Sequence, residues 1–347
     1  MNSRYFNILV PIISVLLGLL IGGIVMLASG YNPIDGFKAL WMGAFGDAYY
    51  IGETIRQVIP YILTGLAVAF AFRTGLFNIG AEGQVIVGWL AAVWVGISFE
   101  LPMYIHLPFA ILAAALAGAI WGFIPGILKA KLGVHEVIVT IMLNYTGFHI
   151  SNTLVRHVLS DTQNRTENIY ETASLKSEWV SALTGGSRAH YGLLIAILAA
   201  VIMWFIIERT TFGYEMKSVG FNRHASLYAG MNVSRNIVIS MMIAGAFAGL
   251  AGAMEGLGTF GYNSVRGGFT NLGFDGIAVA LLGANRAFGV VLAAILFGSL
   301  KIGALNMPRA AGIPEELADI IIALIIFFVA SSYIIRWAIN RFKKGEN

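Results

Sequence analysis

Two short stretches of the sequence decide the fold: NIGAEG at residues 78–83 and NLGFDG at residues 271–276. Both read asparagine, an aliphatic residue, glycine, a variable residue, a carboxylate and glycine, and both open an apolar segment. The two copies therefore indicate an internal repeat. Their carboxylates, Glu82 and Asp275, fall in the first turn of the predicted helices, where unpaired backbone N–H groups favour negative charge.

Asn78 and Asn271 are the predicted N-caps of these two helices, since asparagine side chains accept hydrogen bonds from the first unpaired N–H groups. The glycines around the carboxylates permit tight turns or a close approach of two backbones. Two interpretations of the carboxylates stay open at this stage. They either cap helices at a membrane interface or contribute to a path through the membrane.

The composition indicates an integral membrane protein. Of the 347 residues, 58% are hydrophobic and only 12% are charged, with a mean hydropathy of +0.78, whereas a soluble domain has about 25% charged residues. Apolar segments near the ~20 residues that cross a bilayer as a helix recur along the whole chain. We therefore predict an all-α polytopic membrane protein without a soluble domain. The absence of cysteine excludes disulfides and thiolate metal sites.

About ten transmembrane helices are predicted from the apolar segments. One of them is short, because the polar step Gly283–Arg286 divides what would otherwise be a single long helix. The predicted helices are 6–28, 55–72, 79–98, 107–128, 136–155, 191–208, 236–257, 274–284, 287–305 and 318–338.

The distribution of basic residues predicts the orientation. An even number of helices places both termini, including the basic tail RFKKGEN, in the cytoplasm, as the positive-inside rule prefers. Arg73 then lies inside and Arg266 outside, so the two copies of the repeat run in opposite directions. This is the pattern of an inverted-topology repeat, which places a translocation path between the two halves. The loop 156–190 falls outside, and the loop 209–233 falls inside.

The stretch RTGLFNIGAEGQ at residues 73–84 resembles the permease subunits of ABC importers, in the group that serves branched-chain amino acids, ribose-type sugars and nucleosides. The resemblance covers about residues 55–335 and is strongest to nucleoside permeases that work with a Bmp-type (basic membrane lipoprotein) binding protein. It implies an ABC importer permease fold in a single permease domain, residues 1–347. It also implies a multi-pass protein of a bacterial-type cytoplasmic membrane, surrounded by lipid.

The resemblance also implies the partners and the source of energy. A permease of this kind works with a cytoplasmic ATPase, a second homologous permease and an extracellular solute-binding lipoprotein, which we expect at the loop 156–190. ATP and Mg are then held by the ATPase, and this chain binds no cofactor. The expected function is translocation of a solute, with nucleosides as the expected class.

The inner segment TTFGYEMKSVGFNRHASLYAGMNV, residues 210–233, is similar to the family's ATPase-coupling segment. Ser226 stands where a second alanine is common, which is a small departure. Basic residues beside aromatic ones also suit docking into a groove of a partner, although a helix lying on lipid headgroups has the same pattern. The expected coupling residues are Thr211, Gly213, Lys217, Gly220, Asn222, Arg223, Ala225 and Gly230.

The residues expected along the solute path are those that suit a flat, neutral solute rich in donors and acceptors. Such a solute requires amides, hydroxyl groups and aromatic faces in place of strong charge. Together with the repeat carboxylates, the candidates are Asn78, Glu82, Gln84, Asn144, Tyr145, Asn271 and Asp275.

Several other functions are disfavoured by the sequence. There is no G-x-x-x-x-G-K-[ST] loop for ATP phosphates, and GLGTFG at 256–261 ends a helix, so it is not a dinucleotide site. The six histidines never recur at helical metal-site spacing, and no nucleophile elbow is present, so we expect neither an enzyme nor a metal protein. Nucleic-acid binding is not expected, because the basic residues serve orientation. The remaining alternative is an ion-coupled secondary transporter of a small polar solute. It requires ionisable residues deep in the helices, but the predicted helix centres are almost free of charge. The ionisable residues near predicted helix ends are Glu82, Asp275, Glu255, Lys301 and Asp319.

Overall fold

The structure is a computed structural model that describes residues 3–160 and 164–331. Within these ranges the chain is helical and contains no strand, only two isolated β-bridges. The helices are α1 (Ser3–Ala28), α2 (Pro33–Phe45), α3 (Ala48–Arg73), α4 (Ala81–Ser98), α5 (Met103–Leu132), α6 (Glu136–His157), α7 (Glu178–Leu183), α8 (Gly192–Arg209), α9 (Thr211–Phe221), α10 (Arg223–Tyr228), α11 (Val233–Ala253), α12 (Leu272–Leu282), α13 (Ala287–Ala304), α14 (Met307–Ala311) and α15 (Glu315–Ala330).

Six helical segments of the described chain are long and apolar enough to cross a membrane: α3, α4, α5, α8, α13 and Val233–Phe260, which is α11 with a π-helical extension. Two shorter apolar helices, Ile12–Ala28 and Leu272–Leu282, accompany them. Each of the ten predicted segments overlaps a helix, but the count of ten membrane crossings stays a prediction. The end of the predicted helix 318–338 lies outside the described residues.

The described chain divides into two compact units. Among the described residues, the first contains 3–57 and 295–331, and the second contains 58–160 and 164–294. In the first unit, α1 packs against α15: Gly18 lies against Ile325, and Gly22 lies against Ile321. Because a side chain on either glycine would collide with these isoleucines, the two helices are close enough for extensive van der Waals contact.

In the second unit, α5 and α11 pack backbone to backbone. A Cβ on Gly118 would collide with the carbonyl oxygen of Gly245, and one on Gly249 would collide with that of Ala114. On α4, Gly88 also lies against Gly249. Lipid tails are as apolar as leucine, so a membrane bundle depends on this close packing of small residues. The three helices α4, α5 and α11 are therefore packed closely against one another.

Two breaks divide the apolar segments near the candidate site. The chain after α11 continues as a π-helix, Met254–Phe260, which ends at Gly261 with a φ of 84°. The second break is the predicted polar step: α12 ends at Leu282 and α13 begins at Ala287. Ala284 and Asn285 there adopt left-handed φ values of 51° and 53°. The prediction of a broken helix is confirmed.

The sequence-based helix limits were wrong at the start of α3, which begins at Ala48 in place of residue 55. The added turns contain Glu53 and Arg56, which are both buried, with Arg56 Nε 2.9 Å from Glu53 Oε2. Arg56 also donates to the side chain of Gln57 at 3.1 Å. Charged residues weaken a hydropathy signal, but these two neutralise each other within the helix.

Candidate functional site

The two copies of the repeat meet at the N-terminus of α12. The Glu82 carboxylate, fully buried on α4, accepts hydrogen bonds from the backbone N–H of Thr270, Asn271 and Gly273 at 2.5, 3.1 and 2.8 Å, and from the Thr270 hydroxyl at 2.7 Å. These amides are the unpaired donors of a helix start. Glu82 therefore caps the helix that carries the other copy of the repeat. We call this contact the junction: Glu82 with residues 270–273.

The junction requires glycine because the two backbones touch there. A Cβ on Gly273 would collide with the backbone nitrogen and Cα of Glu82. On the other side, Asn144 of α6 holds the turn before α4: its Oδ1 accepts from Gly83 N–H at 2.9 Å, and its Nδ2 donates to Ile79 O at 3.0 Å. The position of Glu82 is thus fixed by its own helix, by α6 and by α12.

The prediction that Asn78 and Asn271 cap helices by their side chains is wrong. The residue at the N-cap of α4 is Gly80, and the buried Asn78 instead donates from Nδ2 to Gln84 Oε1 at 2.9 Å. Asn271 does stand at the N-cap of α12, but with a left-handed φ of 63° and no hydrogen bond from its side chain to the helix. The Glu82 carboxylate occupies that place, and a charged acceptor binds such amides more strongly than a neutral amide does.

The second carboxylate of the repeat, Asp275, has a different environment. It is half-buried, and its Oδ2 accepts from the Tyr61 hydroxyl of α3 at 2.8 Å. Asn271 is exposed, and Tyr145 is 53% exposed with its ring 5.1 Å from that of Phe269. Among the seven candidate path residues, Asn78 pairs with Gln84, and Asn144 holds the α4 turn. Glu82 joins the repeats and contacts Asn271 through its backbone N–H.

Tyr61 and Thr270 contact the repeat carboxylates and were missed by the sequence analysis. A tyrosine in an apolar helix and a threonine in a loop are common, and neither stands in a motif. The repeat did indicate the region of Thr270, because Thr270 directly precedes Asn271, the first residue of the second copy. For Tyr61 the sequence offered none, because its partner lies 214 positions away.

The predicted coupling segment folds as two short helices with an exposed apolar surface. Phe221 and Tyr228 are each 92% exposed, and Tyr214 and Leu227 are also mostly exposed. We call these four residues the α9–α10 surface. A globular surface rarely exposes several large apolar side chains together unless they bind something.

Local capping explains why this segment forms two helices. Thr210 Oγ1 accepts from Gly213 N–H at 3.0 Å and starts α9. Asn222 Oδ1 accepts from Ala225 N–H at 3.0 Å and starts α10. Gly230, with a φ of 81°, follows α10. Of the remaining candidates, Thr211 is exposed and Arg223 is half-buried.

The helix α9 is fixed to the rest of the second unit. Glu208 at the end of α8 pairs with Lys217 at 3.0 Å and also with Arg73. Asn236 of α11 donates to Glu215 at 2.9 Å. Beneath these polar contacts, the buried core includes Ala71, Leu76, Val219, Ile237, Met241 and Ala244. These contacts attach α9 to α3 and α11.

The end of α9 touches the turn that leads to the junction. A Cβ on Gly220 would lie 2.6 Å from Arg73 O and 3.0 Å from Gly75 N. Gly75 has a φ of 71°, which side-chain-bearing residues rarely adopt. The chain then reaches Glu82 within seven residues.

Comparison with known proteins indicates that the chain is a membrane transport subunit. Residues 50–330 match the family model "Branched-chain amino acid transport system / permease component". The chain is 62% identical over 348 residues to the guanosine ABC transporter permease protein NupP of Bacillus subtilis, with 100% of both chains covered. It is 44% identical to the nucleoside ABC transporter permease protein NupB of Lactococcus lactis, covering 96% of this chain and 94% of the relative.

A third relative is named for a different solute. The glucose ABC transporter permease protein TsgB13 of Haloferax volcanii is 34% identical, covering 93% of this chain and 87% of the relative. The fold and these matches define a multi-pass membrane permease of the ABC transporter class. The chain belongs to the family of branched-chain amino acid transport system permease components. It is a transport subunit and not itself an enzyme, and such a permease works in general with an ATPase and a binding protein.

Proposed function

We propose that this chain is the membrane permease of an ATP-driven nucleoside importer. The observation that carries the proposal is the exposed α9–α10 surface, which is fixed to the turn that leads to the junction. The identity to NupP and NupB supports nucleosides as the solute class. The ion-coupled alternative is not favoured, because it does not account for the α9–α10 surface.

The partners and topology of the proposed importer follow from the resemblance and the charge pattern. Both termini and the segment 209–233 lie in the cytoplasm, with about ten helices that form two inverted halves. A cytoplasmic ATPase, which holds ATP and Mg, docks on the α9–α10 surface. An extracellular lipoprotein delivers solute to the loop 156–190, and a second, homologous permease completes the path.

The coupling route that we propose runs from α9 to the junction. Movement of the ATPase displaces α9, and Gly220 transmits the displacement to the turn at Arg73–Gly75. That turn leads to α4, whose Glu82 holds the start of α12. Because α9 is also anchored through Glu208 and Asn236, the displacement moves packed helices and not a free loop.

Purification of the tagged chain from its native membrane in a mild detergent tests the proposed assembly. We expect an ATPase and a second permease to be recovered with it, and the complex with its binding protein to take up labelled guanosine in proteoliposomes only when ATP is present. An ionophore should leave uptake unchanged, and excess glucose should not compete. Uptake that follows an ion gradient, without an ATPase in the preparation, would reject the proposal, and competition by glucose would reassign the solute.

Gly220→Val tests the coupling route. Its side chain collides with Arg73 O and displaces α9, so we expect guanosine uptake and partner ATPase activity to fall together several-fold. Displacement of packed helices at such a contact costs ~1 to 3 kcal/mol. Initial uptake rates and ATP hydrolysis by the same proteoliposomes measure both.

The matched control is Gly133→Asn, at the end of α5, where φ is 66°. No atom lies within 4 Å of a Cβ there, and asparagine tolerates a left-handed conformation. We expect near-normal transport from this variant. If Gly220→Val also transports normally, the contact between α9 and the Arg73–Gly75 turn has no part in coupling.

A further inference from the structure

Arg266, in the loop between the π-helical segment and α12, has a fixed backbone and an unpaired head group. Its N–H donates to Asn152 Oδ1 of α6 at 3.0 Å, and its carbonyl oxygen accepts from Asn152 Nδ2 at 2.9 Å. In the described part of the chain, however, neither of its buried terminal nitrogens, Nη1 and Nη2, has a hydrogen-bond partner. The structure positions this arginine but leaves its terminal donors unused.

An aromatic contact fixes the plane of the guanidinium. The Cζ of Arg266 lies 4.1 Å from the centroid of the Trp89 ring. Trp89 is held in turn by Phe260, whose ring is stacked at 5.2 Å, and by its own Nε1, which donates to Tyr262 O at 3.0 Å. A guanidinium over an indole face is attracted by the ring quadrupole. The two terminal nitrogens are therefore held in a defined direction.

Buried donors without partners are costly, and in natural proteins they require an explanation. A second such side chain stands three residues earlier: Asn263 is fully buried, and neither atom of its amide has a partner in the described ranges. The next two residues, Gly267 and Gly268, are exposed, and a Cβ on either would meet no atom within 4 Å. This loop thus combines unused buried polar groups with an exposed, unobstructed stretch beside them, from which a ligand can approach.

The charge near Arg266 indicates which ligand fits. Burial lowers the pKa of Arg266 to about 10, while the carboxylates of Glu82 and Glu255 raise it against burial. The guanidinium is therefore charged at neutral pH, and two acidic side chains lie near enough to act on it. A further anion would be repelled by these carboxylates. Neutral acceptor atoms do not meet this repulsion.

We propose that Arg266 binds the transported solute through two adjacent neutral acceptors of a heterocycle, a carbonyl oxygen and a ring nitrogen. The O6 and N7 atoms of a 6-oxopurine nucleoside have this arrangement, and arginine recognises the same pair in nucleic acids through two parallel hydrogen bonds. Adenosine offers an amino donor in place of O6 and would not fit. The inference rests on the proposed nucleoside import and assigns this residue a role in selecting oxopurines.

The test compares two substrates in the complete importer, reconstituted with its ATPase and binding protein. Initial uptake is measured for guanosine and for 7-deazaguanosine, which lacks the N7 acceptor, each at a concentration that saturates the binding protein. Arg266→Met keeps an unbranched side chain against Trp89 but removes the donors. We expect it to lower guanosine uptake about tenfold, as loss of a paired contact does. It should lower 7-deazaguanosine uptake by a smaller factor, because that nucleoside keeps only the O6 acceptor.

Arg165→Met is the matched control. Arg165 also lies over an aromatic ring, that of Tyr262 at 4.9 Å, but it is exposed. This variant should leave the ratio of guanosine uptake to 7-deazaguanosine uptake at its wild-type value. Arg266→Lys is the second variant, because it retains the charge, replaces the fork by a point donor and should fold even if the methionine variant does not.

The outcomes separate the inference from the function on which it rests. Equal loss of both substrates in Arg266→Met and Arg266→Lys, or loss of neither, overturns the role of Arg266 while the importer assignment stands. Wild-type proteoliposomes that take up no guanosine with ATP overturn the proposed function itself.

To exclude selection by the binding protein alone, 8-azidoguanosine is photolabelled onto the complex without that protein. Labelling that appears on the wild-type chain, is blocked by guanosine and is absent from Arg266→Met supports the site. Equal labelling of both chains overturns it.

Discussion

Glu82→Ala is expected to remove most of the folded permease from the membrane. The substitution removes a fully buried acceptor from three backbone N–H groups and the Thr270 hydroxyl, of which the N–H of Gly273 is buried and the others are partly buried. An unsatisfied buried donor costs ~1 to 3 kcal/mol, so several together approach the ~5 to 15 kcal/mol by which a typical protein is stable. The yield of monodisperse protein after a heating series in detergent measures the effect.

Glu82→Gln should have an intermediate effect. Its amide oxygen still accepts from Thr270 and Asn271, but its NH₂ group then faces the N–H of Gly273. Because the carboxylate acts as a cap, we expect folded protein and guanosine uptake to fall together in this variant. A Glu82→Gln protein with wild-type thermal stability and no uptake would instead show that the carboxylate acts on the solute.

Asp275, which stands at the matching position of the other repeat copy, provides the control for the Glu82 variants. Asp275→Asn retains an oxygen that accepts from the Tyr61 hydroxyl, and the residue is only half-buried. It should keep nearly all of the thermal stability. A loss of stability as large as that of Glu82→Ala would mean that the two carboxylates have the same structural role, contrary to their different environments.

The helices were largely predictable because lipid imposes long apolar segments. The sequence even predicts the break after Leu282, since glycine and polar residues there cannot continue an apolar helix. It does not predict α2, α7 or α14, which are too short and too mixed to give a hydropathy signal. The start of α3 was misplaced because the charges of Glu53 and Arg56 cancel only once the helix has formed.

The candidate site was predictable in its members but not in its connections. The repeat indicates Glu82 and Asp275, yet their spacing cannot show that Glu82 caps the helix of Asp275 or that Asp275 accepts a hydrogen bond from Tyr61. Such pairing depends on contacts between residues about 190 to 210 positions apart. Arg266 was read only as a topological marker, because a lone arginine in a loop carries no motif.

The double variant Phe221→Ser, Tyr228→Ser is expected to abolish most ATP-dependent uptake without unfolding the chain. Both side chains are 92% exposed, and substitutions at exposed positions usually change stability by less than about 0.5 kcal/mol. Exposed aromatics that enter a partner's pocket often contribute ~2 kcal/mol or more to binding. Loss of both should therefore weaken ATPase association by more than about tenfold, since each ~1.4 kcal/mol is a factor of ten.

Co-purification of the ATPase, with uptake by the same preparation, measures this prediction, and thermal stability in detergent confirms the fold. Trp179→Ser is the control: Trp179 is 66% exposed on α7 in the loop predicted to lie outside, so ATPase recovery should be unchanged. The double variant also separates docking from adsorption to the membrane. If the ATPase is retained and uptake is normal while the α9–α10 surface has lost both rings, those rings contact lipid headgroups, and the ATPase must bind elsewhere on the chain.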